Sequence, residues 1–99
     1  MNSPSAFRVL RIRPLLRLNG TVERVDVLHG ACANCGHQAR YSQPGGLRQV
    51  GLDIELTCAH CGNTGTLTEA RIFAAWVQQV RRDRVLVLAG IDPEALYGP

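Results

Sequence analysis

Between Phe7 and Leu18 the chain mixes arginine with Val, Leu and Ile, breaks at Asn19-Gly20, and resumes as "TVERVDVLH". Asn-Gly between two apolar runs is a strong hairpin signal, because both positions of the tight two-residue turn need positive φ. An antiparallel hairpin is expected here. Pro14, which has no amide to give to a ladder, belongs at a bulge or on an edge. After "HQARYS" and the turn-like "QPGG" at 43–46, the segment "LRQVGLDIELTC" sets Leu52, Ile54 and Leu56 in alternation with Asp53 and Glu55. That period of two predicts a half-buried strand, returning against 37–42 as a second hairpin. "TGTL" at 64–67 adds a short strand.

The period then changes. Ile72, Phe73, Trp76, Val77 and Val80 fall on one stripe of a helix, Thr68 is placed to cap its start, and Glu69 and the pair Arg81, Arg82 are distributed to suit its dipole. "RVLVLAG" at 84–90 reads equally as a continuation or a short strand, and Asp92-Pro93 as the start of a last helical turn. Residues 1–6 look frayed. The predicted fold is a small α+β domain of 99 residues, divided into an N-terminal hairpin (1–29), a central unit (30–68) and a C-terminal amphipathic helix with its tail (69–99).

Composition changes this picture at one point. Only five residues are aromatic, so the 45% hydrophobic content is mostly aliphatic, and a core of this size gains from a staple. Four cysteines supply the candidate. They occur as "CANCG" at 32–36 and "CAHCG" at 58–62. Two intervening residues let both sulfurs turn to one ion, glycine permits the tight turn, and 22 residues between the pairs leave room for a hairpin. The spacing predicts a tetrahedral metal site.

At these residues, 30–68, the chain resembles the zinc-ribbon superfamily, although Ala33 and Ala59 stand where that family often has proline. The resemblance implies antiparallel hairpins forming a zinc ribbon, with one Zn2+ held by Cys32, Cys35, Cys58 and Cys61. A treble clef, in which the second pair opens a helix, stays open as an alternative, though "GNTGT" after Cys61 favours an extended exit. Rubredoxin-like iron uses the same ligands, but such carriers tend to be acidic and aromatic-rich. A dithiol redox site usually places a cysteine at a helix N-terminus, which neither pair does here. His37 and His60 flank the ligands and read as surface residues, and His29 as a strand-end residue.

Charge suggests partners. The formal net charge is +3, and every one of the eleven basic residues is arginine, a usage that compositional bias explains without function. Four thiolates and a divalent ion would lower that total to about +1. The excess is concentrated in residues 1–18, where Arg8, Arg11, Arg13 and Arg17 face no acid. With Arg40 and Arg48 they form a candidate nucleic-acid surface, with Tyr41 as a base-stacking ring. The rival reading is a protein-binding adaptor or regulator using the stripe Ile72, Phe73, Trp76, Val77 and Val80, which also reads as core and equally as a self-association face.

Four protein thiolates leave a zinc ion no open position, and no catalytic grouping or small-molecule site stands out, so no enzyme is expected. Arg and Pro break the apolar runs of residues 1–20, and the longest later run is far shorter than the roughly 20 residues that span a bilayer. A cytoplasmic chain without a membrane segment is expected, with a transit peptide over 1–20 as the alternative.

Overall fold

The computed structural model describes residues 7–43, 45–93 and 95. Six strands and one helix follow in order: β1 (Phe7–Leu16), β2 (Val22–Cys32), β3 (Gln38–Ser42), β4 (Leu47–Val50), β5 (Asp53–Thr57), β6 (Thr64–Leu67) and α1 (Glu69–Leu88). They build a small α+β fold of two antiparallel three-stranded sheets, ordered β1-β2-β3 and β4-β5-β6, with the helix last.

The expected first hairpin is β1 with β2, and Pro14 sits at a register shift on the outer strand. Its turn is not the two-residue form. Gly20 N–H donates to the Arg17 carbonyl at 2.9 Å and Arg17 N–H to the Thr21 carbonyl at 2.8 Å. Only Gly20 takes a positive φ, of 86°. Asn19 instead accepts at Oδ1 from the Thr21 amide and hydroxyl. A turn with glycine in the left-handed position is the next commonest hairpin loop.

The second expected hairpin is corrected. β3 pairs with β2, not with the strand that follows "QPGG", and β4 and β5 form a tight hairpin of their own about Gly51 and Leu52. Leu52 is therefore an exposed turn residue, while Ile54 and Leu56 keep their predicted inward places with no solvent exposure. The two sheets repeat one plan: in each, a Cys-x2-Cys-Gly turn joins the middle strand to the third.

The core runs through both sheets. Ile12, Leu28 and Tyr41 form one cross-strand row, Ile54 lies opposite Leu67 and Leu47 opposite Leu56, and all seven are buried. Each such aliphatic side chain contributes about 1.5–3 kcal/mol by leaving water. Phe7 packs edge-on against Tyr41 with ring centroids 5.7 Å apart.

α1 begins as read. Thr68 Oγ1 accepts from the Arg71 amide at 3.4 Å, and the Asp53 carboxylate on β5 accepts from the Glu69 amide at 2.8 Å. "RVLVL" continues the helix, so Arg81 and Arg82 lie inside it rather than near its end. It stops where Ile91 N–H donates to the Leu86 carbonyl and Gly90 N–H to the Val87 carbonyl, a paired cap of the last turn. Ala95 N–H donates to the Asp92 carbonyl at 3.1 Å, the start of the turn expected at Asp92-Pro93. Its later residues, and the frayed start at 1–6, lie outside the described residues.

The helix covers the free edge of β1. Gln79 accepts from the Ile12 amide at 2.7 Å and donates to the Ile12 carbonyl at 2.9 Å, as a neighbouring strand would. Arg82 donates to the Leu10 carbonyl at 3.3 Å. An uncovered edge is a template for foreign pairing, and these contacts close it. Beside them Arg11, only 9% exposed, forms a two-pronged ion pair with Asp83, both contacts at 2.9 Å. Among the described residues no helix is long and apolar enough to cross a membrane.

Candidate metal centre

Each Cys pair occupies the turn of a hairpin, and the two turns share one hydrogen-bond pattern. Gly36 N–H donates to the Cys32 carbonyl and Cys32 N–H to the His37 carbonyl; Gly62 N–H donates to the Cys58 carbonyl and Cys58 N–H to the Asn63 carbonyl. Gly36 and Gly62 both adopt φ 77°, the left-handed value that a side chain resists. The repeated local sequence therefore makes a repeated local shape.

The turns face each other. Cys32 Sγ lies 3.6 Å from Cys61 Sγ and Cys35 Sγ lies 3.7 Å from Cys58 Sγ, so each close contact joins one turn to the other. All four sulfurs fall within 4.8 Å of one another, and all four cysteines are free thiols. Sulfurs at the corners of a tetrahedron about 2.3 Å from a central ion are about 3.8 Å apart. The donor set therefore fits a thiolate-binding metal ion. Cys32 and Cys58, at the strand ends, are buried, while Cys35 and Cys61, at the turn tips, are exposed.

Electrostatics favour an ion. Burial works against a Cys32 thiolate, but amides of Cys35 and Asn34, with the Cys61 and Asn63 side chains, outweigh it and lower the pKa. The Cys61 amide is the main influence lowering Cys58. For Cys35 the His37 amide pulls the pKa down, yet burial and the neighbouring Cys61, Cys58 and Cys32 sulfurs prevail and raise it. Negative charge gathered on some sulfurs keeps the proton on another, and a divalent cation relieves that conflict. Asn34 Nδ2 reaches Cys61 Sγ at 3.5 Å and Asn63 Nδ2 reaches Cys32 Sγ at 3.7 Å, donors of the kind that orient ligating sulfur.

Chain comparison adds no name to the centre. No family model, curated protein or solved structure matches the chain. The metal site rests on its own geometry.

His37 and His60 stack with ring centroids 5.1 Å apart, both exposed and outside the thiol cluster, as read. His29 lies within β2, half-buried, not at the strand's end. The proposed arginine surface is partly dismantled. Arg11 is held by Asp83, Arg17 donates to Thr21 Oγ1 and the Val22 carbonyl, and Arg48 pairs with Glu55 at 2.9 Å. Arg8, Arg13 and Arg40 stay at the surface. Tyr41, proposed to stack a base, is buried in the core; burial and then the Cys58, Cys32 and Cys35 sulfurs push its phenol up to about 12.

The helical stripe divides. Ile72 is core, Trp76 packs against the core and is half-buried like Val77, and Phe73 and Val80 are exposed. Sequence reasoning missed Gln79, Asp83 and Asp53. A polar residue at a helical position in line with Ile72 and Trp76 was the available signal at the first two. Asp53 gave none, since its helix lies 16 residues along the chain.

Proposed function

We propose that the chain is a non-catalytic module in which one zinc ion clamps two Cys-x2-Cys-Gly turns in the manner of a zinc ribbon, and that the clamped scaffold holds α1 out to a protein partner. Four thiolates at tetrahedral spacing suit Zn2+ and fill its coordination sphere, so the ion supplies folding free energy rather than chemistry. A shallow cavity of about 470 Å3 beside the first turn is lined by Phe7, Val9, Leu67 and Ala74 with Arg8 and Arg71, and it offers no nucleophile or general base.

The observation that carries the protein-binding half is apolar surface left in water on an ordered helix. Phe73 is 42% exposed, Val80 43% and Leu88 83%, with Val85 and Val87 exposed beside them. Phe73, Val80 and Val87 fall at i, i+7 and i+14 on one side of the helix, and an exposed apolar stripe of this kind marks interaction sites. Nucleic-acid binding draws less support, since Arg11, Arg17 and Arg48 have protein partners and its aromatic ring is buried.

The test is capture from the native host with the zinc-loaded chain and with Val80→Asp, after treatment with nuclease. The expected result is protein, further copies of the chain included, that the wild type retains and the variant loses while still binding one zinc. Equal recovery by both, or recovery of nucleic acid that moderate salt releases, overturns the reading.

A further inference from the structure

Five residues of α1 define a face that the sheets leave uncovered. Glu69, Phe73, Val77, Val80 and Arg84 follow at i, i+4, i+8, i+11 and i+15, which a period of 3.6 residues sets on one side of a helix. The core-facing side is a different stripe, in which Ile72 and Gln79 are buried and Trp76, Asp83 and Leu86 partly so. The outer face has an acid at one end, a base about 22 Å along the axis, and only apolar side chains between. Among the described residues neither the Glu69 carboxylate nor the Arg84 guanidinium has an ion-pair partner, and both residues are exposed.

Such a face is complementary to itself when reversed. Antiparallel pairing about a two-fold axis near Val77 brings Glu69 to Arg84 of the second copy, twice, and Phe73 to Val80, also twice, with Val77 at the centre. Parallel pairing would set Glu69 against Glu69 and Arg84 against Arg84, and like charges repel.

The N-terminal end of this face is not flat: a cavity of about 260 Å3 lined by Thr21, Val22, Glu69, Ala70 and Phe73 opens there. In the antiparallel register it lies opposite Val80 and Arg84 of the second copy.

We propose that the partner of α1 is a second copy of this chain, joined by an antiparallel, two-fold contact of the Glu69–Arg84 face. The proposal rests on the protein-binding reading above and specifies its partner. An interface in which each patch meets its own copy is the commonest way for soluble chains to assemble.

The experiment is sedimentation velocity on the zinc-loaded full chain over a micromolar concentration series, for wild type, E69R, R84E and the double swap E69R/R84E. Circular dichroism and zinc stoichiometry establish that each variant is folded. Wild type is expected to be a dimer. Each single swap creates two like-charge contacts and is expected to weaken dimerisation at least about 100-fold, and the double swap, which restores opposite charges, to recover it.

A monomeric wild type overturns the proposal, as does a dimer indifferent to the single swaps or a double swap that stays monomeric. If wild type is monomeric while Val80→Asp still loses a different captured protein, self-pairing falls and the protein-binding reading stands. If Val80→Asp also loses nothing, both fall.

Discussion

Gln79 sits where an aliphatic residue would complete the inner stripe of α1, and its amide instead reads the backbone of Ile12 with one donor and one acceptor. Gln79→Leu fills the space but strands a buried amide and carbonyl, so a loss of about 1–3 kcal/mol is expected in urea denaturation. Gln79→Glu keeps the acceptor but sets a buried carboxylate against the Ile12 carbonyl, and is expected to cost at least as much at neutral pH. At Arg11 and Asp83 the pair itself matters more than either charge. Asp83→Ala leaves a guanidinium in a nearly dry place and is expected to cost about 3 kcal/mol, whereas Arg11→Leu with Asp83→Leu should cost far less than the two single changes together. None of this was legible residue by residue. An arginine in a strand reads as surface until the element packed beside it is known, which is why Arg11 was assigned to a nucleic-acid face.

Elements whose signals are local were readable, and those whose partners are distant were not. Thr68 caps α1 through a contact three residues away, and the sequence placed that start correctly. Asp53 satisfies the same helix end from another sheet, where its charge also suits the dipole. Thr68→Ala and Asp53→Ala are each expected to lower stability by about 1 kcal/mol, seen as a shift of the thermal midpoint. Strand existence was likewise legible from alternation, but pairing was not. β3 and β4 read as the two arms of one hairpin because a Pro-Gly-Gly turn lies between them. In the fold that turn passes the chain from one sheet to the other, with Ser42 N–H donating to Gly45 and Thr57 N–H to Gly46. The end of α1 stayed open in the sequence because "VLVL" suits a strand as well as a helix, and only the cap at Leu86 to Ile91 decides it.

For the molecule as a whole, the four-cysteine cluster was the most legible feature, because two Cys-x2-Cys-Gly turns at suitable separation fix both the candidate donors and their number. The zinc proposed there would carry a correspondingly large energetic weight. Removing the ion with a strong chelator is expected to abolish the cooperative unfolding transition or lower its midpoint by tens of degrees, measured by circular dichroism with the metal followed by atomic emission. Acid should act in the same direction. Ligation needs thiolates, so stability supplied by the ion is present at neutral pH and lost as the pH falls and protons displace it; a profile flat down to pH about 4 would contradict a thiolate site. The arrangement of the two sheets and the helix across their edge was not legible, since it depends on contacts such as Ile12 to Gln79, separated by 67 residues.

The unequal burial of the four sulfurs gives the site a front and a back. A competing carrier or an electrophile approaching from solvent meets Cys35 and Cys61, one from each hairpin, while Cys32 and Cys58 stay sealed. An ion held here would be expected to leave its outer sulfurs before its inner ones, and since Cys32 and Cys58 come one from each hairpin, the two turns would stay tethered until the last bonds break.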